Sequence, residues 1–323
     1  MSACMRAELT ALAIGAEALR KLLFHTHRDN HVVERVWVFR NTINVLLRNH
    51  GLVTITAKPL KASFTINIPW IEIVTLPNGF KGLLNPADVS VHIILTNESG
   101  ADLSLCSKGN ELTIHINDAV MWEPSYSALH GEAAFLTLDE VLSVARAFGY
   151  VAAVTDSVPH PRILLAVRNV IKESASEPPT PARVFDGLLK LVGLGHGLTP
   201  SADDVVSGFA ATINALVDGG FVKGRRLSVG LRELTSRTNL LSAIIMRELI
   251  TLNLNEGIDG AVASFTRGDA GGMLESLITL LSLGHDSGGS MGLGCLIATC
   301  LALDADPLLC LDAFVEGAGL SLV

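Results

Sequence analysis

The sequence predicts an α+β protein, with a small antiparallel β-barrel-like domain followed by a mainly α-helical domain. Three observations predict this. Between Val32 and Ile116, short runs rich in β-branched residues alternate with turn formers, the pattern of short strands. Beyond about residue 126 the apolar positions recur at helical spacing instead. All three tryptophans, Trp37, Trp70 and Trp122, fall in the first half, where a packed β domain would use them. The expected boundaries are 1–125 for the β-rich domain, which includes an N-terminal helix, and 126–323 for the helical domain.

Along the chain, Leu9, Leu12, Ala16, Leu19 and Leu23 recur at helical spacing and predict a helix over Ala3–Phe24. His25, His27 and His31 follow in a polar stretch. They read as loop histidines, because no Asp, Glu or Cys cluster completes a metal site. Strands are expected at Val33–Phe39, Ile43–Leu47, Leu52–Thr56, Phe64–Ile68, Glu72–Leu76, Val91–Leu95 and Glu111–Ile116, with turn chemistry between them. Strands this short and closely spaced suggest a barrel, with Trp122 as an aromatic plug at its exit. Thr137 and Glu140 form a capping box that opens a helix to about Phe148. A further helix is expected over Arg162–Lys172, and Ser174–Pro181 is linker-like. Helices then follow at Arg183–Val192, Pro200–Val217, Leu227–Thr235, Leu240–Leu252, Ile258–Phe265, Gly271–Ser282, Ser290–Leu303 and Pro307–Val315.

Composition narrows the function classes. The 323 residues carry a net charge of −8 and no dominant basic patch, which argues against nucleic acid or an anionic membrane surface as partner. Only 17% of residues are charged while 49% are hydrophobic, so much surface should be buried, in a large core or in a homo-oligomer. Cys4, Cys106, Cys295, Cys300 and Cys310 are odd in number and form no Cys-x-x-Cys pair. They read as reduced thiols, with Cys295 and Cys300 as small core residues. Arg6, Glu8 and Glu17 interrupt any signal-peptide pattern, and no apolar run reaches a membrane span. The expected location is the cytoplasm.

The stretch that carries chemistry is Leu194-Gly195-His196-Gly197-Leu198-Thr199-Pro200-Ser201-Ala202-Asp203-Asp204. A glycine-rich turn runs into a helix start, with Thr199 expected at the N-cap, Pro200 at the first helical position and two acids in the first turn. All of this suits a well-capped core helix. Yet Gly195 and Gly197 around His196, with Thr199 and Ser201 close by, also suit an anion held by backbone N–H groups. A second turn, Leu283-Gly284-His285-Asp286-Ser287-Gly288-Gly289-Ser290, repeats the Leu-Gly-His start about 89 positions on and also leads into an apolar helix. Two such starts converging would make one composite site for a carboxylate or phosphate.

Between them, Thr238 or Asn239 can cap a helix, Ser242 shares a face with Thr238, and Arg237 can bind an anion in a fork. Asp203 and Asp204 can hold Mg²⁺ near a phosphate. Neighbouring carboxylates diverge on a helix, however, which leaves one facing the site and the other solvated or complementing the dipole. P-loop, dinucleotide-binding, nucleophile-elbow and His-Glu-x-x-His signatures are missing.

Taken together, Gly195–Asp204, Thr238–Ser242 and Leu283–Gly288 resemble the bacterial and archaeal family that includes the AllH subunit of oxamate carbamoyltransferase. The family's first motif reads Gly-Pro-Gly-Leu-Thr-Pro-Ser-Gly-Asp-Asp, and its last resembles Gly-His-Thr-Ser-Gly. Here His196 stands for the Pro, Ala202 for the Gly and Asp286 for the Thr. Val38-Phe39-Arg40-Asn41 and Trp122-Glu123-Pro124 carry a looser likeness in the first half. The resemblance implies a role in carbamoyl transfer in anaerobic allantoin (purine) degradation, beside an FdrA-like partner and a third subunit.

The expected function is therefore an enzyme or enzyme subunit acting on a small anionic metabolite such as carbamoyl phosphate or oxamate. His196 and His285 would move protons or donate to an oxyanion. Gly195, Gly197, Thr199, Ser201, Asp203, Asp204, Arg237, Thr238, Asn239, Ser242, Ser287 and Gly288 would hold substrate. No cofactor is required, since carbamoyl phosphate is already activated. The alternative is a non-catalytic assembly or regulatory subunit that binds a carboxylate or phosphate metabolite.

Overall fold

The computed structural model describes residues 6–25, 33–48, 51–69, 79–84, 90–97, 100–107, 109–126, 133–174 and 179–322. The chain divides into two compact units, Met1–Glu123 and Pro124–Val323. The expected strand Glu72–Leu76, together with Trp70, His27 and His31 and residues 175–178 of the linker-like Ser174–Pro181, lies outside the described residues.

The first unit opens with β1 (Arg6–Thr10), β2 (Ala13–Gly15) and α1 (Ala16–His25). The helix expected over Ala3–Phe24 is thus confined to its second half. Upstream, Leu9, Ala11 and Ala13 alternate with Glu8, Thr10 and Leu12. That two-residue period is taken up by parallel pairing of β1 with β9 (Asn110–His115), which overrides the helical reading of the leucines. β3 (Val33–Val38), β4 (Thr42–Leu47), β5 (Gly51–Thr56), β6 (Thr65–Asn67), the short α2 (Phe80–Leu83), β7 (Ser90–Asn97), β8 (Gly100–Ser107) and β10 (Val120–Trp122) complete the unit. β8 is a strand the apolar pattern misses, because Asp102, Ser104 and Ser107 break its run. Its Leu103 and Leu105 are nevertheless buried.

The strands form a six-stranded sheet, β10-β2-β6-β5-β4-β3, and a four-stranded sheet, β1-β9-β8-β7. The α+β class holds, but the barrel does not. Among the described residues both sheets are open, and three pairings (β1–β9, β2–β10, β5–β6) are parallel. Ile43, Val45, Val53, Ile55 and Ile66 of one sheet share a core with Leu9, Leu103, Leu105, Leu112 and Ile114 of the other and with Ala18 and Leu22 of α1. Two sheets that bury one face each in a common core need no closure to exclude water. Trp122 is a half-buried residue of β10 opposite Gly15, not a plug. On the other face of the larger sheet, Thr54 donates to Asn44 at 2.7 Å and Thr65 to Asn67 at 3.0 Å, so these buried polar groups are paired.

The second unit is helical: α3 (Leu138–Val154), α4 (Pro161–Ser174), α5 (Pro181–Leu189), α6 (Ser201–Asp218), α7 (Leu231–Thr235), α8 (Leu240–Ile250), α9 (Glu256–Arg267), α10 (Ala270–Leu280), α11 (Ser287–Ala302) and α12 (Pro307–Gly317). The capping box of Thr137 and Glu140 is formed. α6 and α11 are its axis. Ser201–Leu216 and Gly288–Leu301 are buried throughout; α11 is nearly apolar on every side, whereas α6 also buries polar residues such as Asp203, Ser207 and Asn214. They cross in contact: a Cβ on Gly208 would overlap the Met291 carbonyl, and one on Gly294 the Val205 carbonyl. Only glycine allows that approach.

The cysteine reading needs one correction. Cys300 and Cys310 form a disulfide that joins α11 to α12, because both project from facing helix surfaces into the same packed core. Cys295 is a free, fully buried thiol. Among the described residues no helix is long and apolar enough to cross a membrane.

Candidate functional site

The site grows from the start of α6. Helix geometry begins at Ser201, so Pro200 is the N-cap and Thr199 lies outside the helix, which corrects the expected cap. A proline has no side-chain acceptor, and the first-turn donors find backbone instead. Ala202 N–H bonds the Leu194 carbonyl at 3.1 Å, and Asp203 N–H the Pro200 carbonyl at 2.8 Å. Gly195 is set hard against the Ser201 amide, whereas Gly197, with φ +92°, has open space where a Cβ would point. The α6 amides are thus largely used within the protein.

Asp203 draws three motifs together. Its carboxylate is 1% exposed and accepts from Gly193 N–H, the Thr238 hydroxyl and the Ser242 hydroxyl, each at 2.6 Å. Asn239 caps α8 by accepting from Ser242 N–H, and its amide donates to the Leu198 carbonyl at 2.8 Å, pinning the glycine turn. Arg237 donates to the Leu189 carbonyl at 2.9 Å and pairs with Glu233 at 3.5 Å, so its fork is turned to the end of α5 rather than to a ligand. Asp203, Thr238, Ser242 and Asn239, expected to hold substrate, hydrogen-bond to one another and to the glycine turn, and Arg237 bonds the end of α5. Asp204 is also buried, at 4% exposed, which leaves dipole complementation in the first turn, not solvation, of the two expected fates of the second carboxylate. Both residues lie on the inner faces of a helix packed on every side. With three donors on its two oxygens, Asp203 is ill suited to a cation.

The start of α11 meets that of α6. The Thr199 and Ser287 hydroxyls are 3.1 Å apart, and Ser201 donates through its hydroxyl to Asp286. Asp286 holds the N-cap position of α11 yet makes no cap hydrogen bond. Its other oxygen lies 3.1 Å from Nδ1 of His285. Elsewhere in this unit, Thr137, Thr180, Asn239, Asn255, Asp269 and Asp306 cap their helices through side-chain bonds. The two central helices alone among the long ones with a described cap position lack one. Ser290 N–H bonds the Asp286 carbonyl. The amides of Ser287, Gly288 and Gly289 precede the first such bond, and none of them makes a short, well-aligned hydrogen bond to another described residue. Gly288 also lets α11 pack against the Leu280 carbonyl.

Of the sequence-predicted residues, Thr199, Ser201, Ser287, Gly288 and His285 come together. His285 is 89% exposed in its side chain and sits at φ +44°. His196 lies on the exposed tip of the first turn and makes no hydrogen bond among the described residues. The residue that sequence reasoning passed over is Asp286, which links Ser201 to His285. The signal was present: an acid after Leu-Gly-His where the resembling family carries Thr.

The fold and the site define an α+β chain whose helical unit brings two uncapped helix starts, three hydroxyls and one carboxylate to one point. Residues 191–299 match the model of the family described as oxamate carbamoyltransferase subunit AllH, the family the motifs resemble. The match spans both turns and the Thr238–Ser242 segment and leaves the β-rich unit outside it. No curated protein and no solved structure matches the chain.

Proposed function

We propose that this chain is a subunit of an oxamate carbamoyltransferase-like enzyme and that its helical unit holds a small anionic substrate at the start of α11. The observation that carries the reading is the pair of uncapped helix starts joined through Thr199–Ser287 and Ser201–Asp286. The amides of Ser287, Gly288 and Gly289 would bind a phosphate or carboxylate and stabilise negative charge developing on a carbonyl oxygen. Thr199 and Ser287 would orient the ligand, and His285 would exchange protons with solvent. Carbamoyl phosphate brings its own leaving group, so the reading calls on no cofactor. Leu194 and Leu198, 43% and 48% exposed beside this point, suit cover by an FdrA-like partner subunit.

Calorimetric titration of the full chain with phosphate, carbamoyl phosphate and oxamate, alone and with an FdrA-like partner, tests the reading. Binding that is lost in Ser287→Pro, together with carbamoyl transfer by the assembly, is expected. Absence of both binding and transfer in every combination overturns it. Binding with transfer absent in every assembly would favour the regulatory subunit.

A further inference from the structure

We infer that Asp286 is the group that accepts and returns the proton at the carbamoylated nitrogen, with Ser201 holding it and His285 passing the proton to water; this rests on the carbamoyl-transfer reading above. Aspartate is among the best N-cap residues because its carboxylate can accept from the first-turn amides. Asp286 occupies that position and does not cap. One oxygen is occupied by the Ser201 hydroxyl, from the first residue of α6, and the other faces Nδ1 of His285 at 3.1 Å. Turned this way, the carboxylate leaves the α11 amides open and stands beside them.

The three groups form a gradient of exposure. Ser201 is 2% exposed, the Asp286 side chain 16% and the His285 side chain 89%. A buried hydroxyl fixes the carboxylate, the carboxylate lies at the edge of the site, and the imidazole reaches bulk solvent. That is the order a proton needs to leave a site without opening it. His285 is too exposed to be held against a substrate by packing, whereas Asp286 is held from the interior side.

The chemistry has work for such a group. When an amide nitrogen attacks carbamoyl phosphate, a C–N bond forms at the carbamoyl carbon. The C–O bond to phosphate breaks and its electron pair leaves with phosphate. The nitrogen must shed one proton, because an amide nitrogen is a poor nucleophile while it keeps both. That proton goes to the Asp286 carboxylate and on through His285 to water. In the reverse direction the protonated Asp286 returns it to the departing nitrogen while phosphate attacks the carbamoyl carbon.

The test uses the full chain in its active assembly with carbamoyl phosphate and oxamate. Asp286→Asn keeps the size and the acceptor for Ser201 but cannot take the proton. A fall in kcat of at least about a hundredfold is expected, with oxamate binding within about threefold of the wild type. His285→Ala should lose activity that added imidazole restores, since the site it leaves is open to solvent. Ser201→Ala should fall between wild type and Asp286→Asn. A kcat for Asp286→Asn within threefold of wild type overturns the inference while leaving the carbamoyl-transfer reading intact. So does a loss confined to KM. If Asp286→Asn does not fold, full activity in both Ser201→Ala and His285→Ala overturns it equally. A wild-type assembly that neither binds oxamate nor transfers a carbamoyl group defeats the underlying reading, and the inference falls with it.

Discussion

Removing the Asp203 carboxylate should cost the helical unit several kcal/mol of stability, about 4 by the bonds it accepts. The carboxylate is 1% exposed and accepts three hydrogen bonds at 2.6 Å, from Gly193 N–H, Thr238 and Ser242. A hydrogen bond to a charged group contributes about 1.5–3 kcal/mol net. The hydroxyls can turn elsewhere when the acceptor goes, so the losses do not add in full. Asp203→Ala is therefore expected to cost about 4 kcal/mol, and Asp203→Asn, which keeps one acceptor oxygen, about half that. For a unit of this size each kcal/mol is worth about 2–4 °C in Tm, so Asp203→Ala should melt roughly 8–16 °C lower. Thermal and urea unfolding followed by circular dichroism measure both. Thr238→Val and Ser242→Ala should each couple to Asp203→Ala by about 1 kcal/mol or more in double-mutant cycles. A cost below about 1 kcal/mol for Asp203→Ala, or full additivity with Thr238→Val, would refute the bracing role.

Other substitutions probe the packing that surrounds the site. Gly208→Ala or Gly294→Ala places a Cβ against a backbone carbonyl of the facing central helix, and each should cost about 1–3 kcal/mol by forcing α6 and α11 apart, read as a lowered Tm. Asp304, exposed and left-handed at φ +54° just past the end of α11, should gain stability as Gly, by about 1 kcal/mol, through relief of Cβ strain. Asp304→Val should lose it. Burial pushes the Cys295 thiol up to about 12. Its reactive thiolate is therefore about one part in ten thousand at pH 8, becoming appreciable only as pH approaches that value. A thiol reagent at pH 8 should label Cys106 in the native chain and reach Cys295 only on unfolding, with labelled peptides identified by mass spectrometry.

The helical unit was largely legible in the sequence because its signals are local. Thr137 with Glu140, Asn239 before α8 and Pro307 at the start of α12 are short-range punctuation, and the structure uses each as such. The β-rich unit was less so. Whether residues near Leu9 form helix or strand depends on a partner at Asn110–His115, about a hundred positions away, and no window of the sequence contains both. β8 was hidden for the same reason: its polar residues look like a loop until β7 and β9 flank it. At the candidate site, residue types were legible and their assignments were not. Asp203, Thr238 and Ser242 carry the polar groups a substrate would want. A sequence cannot tell whether such groups face a ligand or one another, and here they face one another.

That distinction separates two kinds of polarity around the central helices. The Asp203 cluster is closed: its acceptor is surrounded by donors from its own chain, and it holds the glycine turn in one conformation. The start of α11 is open. A helix whose first turn is buried among protein atoms normally meets its orphan amides with a side chain, as six neighbouring helices do here. α11 has the residue for that purpose in Asp286 and directs it to Ser201 and His285 instead. The helix is thereby left less stable than its own sequence permits, and an anion seated on those amides would supply the missing cap. Such a ligand binds the folded chain and not the unfolded one, so it should raise Tm in proportion to ln(1 + [L]/Kd). Asp286→Ser, whose short hydroxyl can cap α11 directly, should raise the Tm of the free chain and shrink the increment that phosphate adds. An unchanged increment would mean that the anion sits elsewhere.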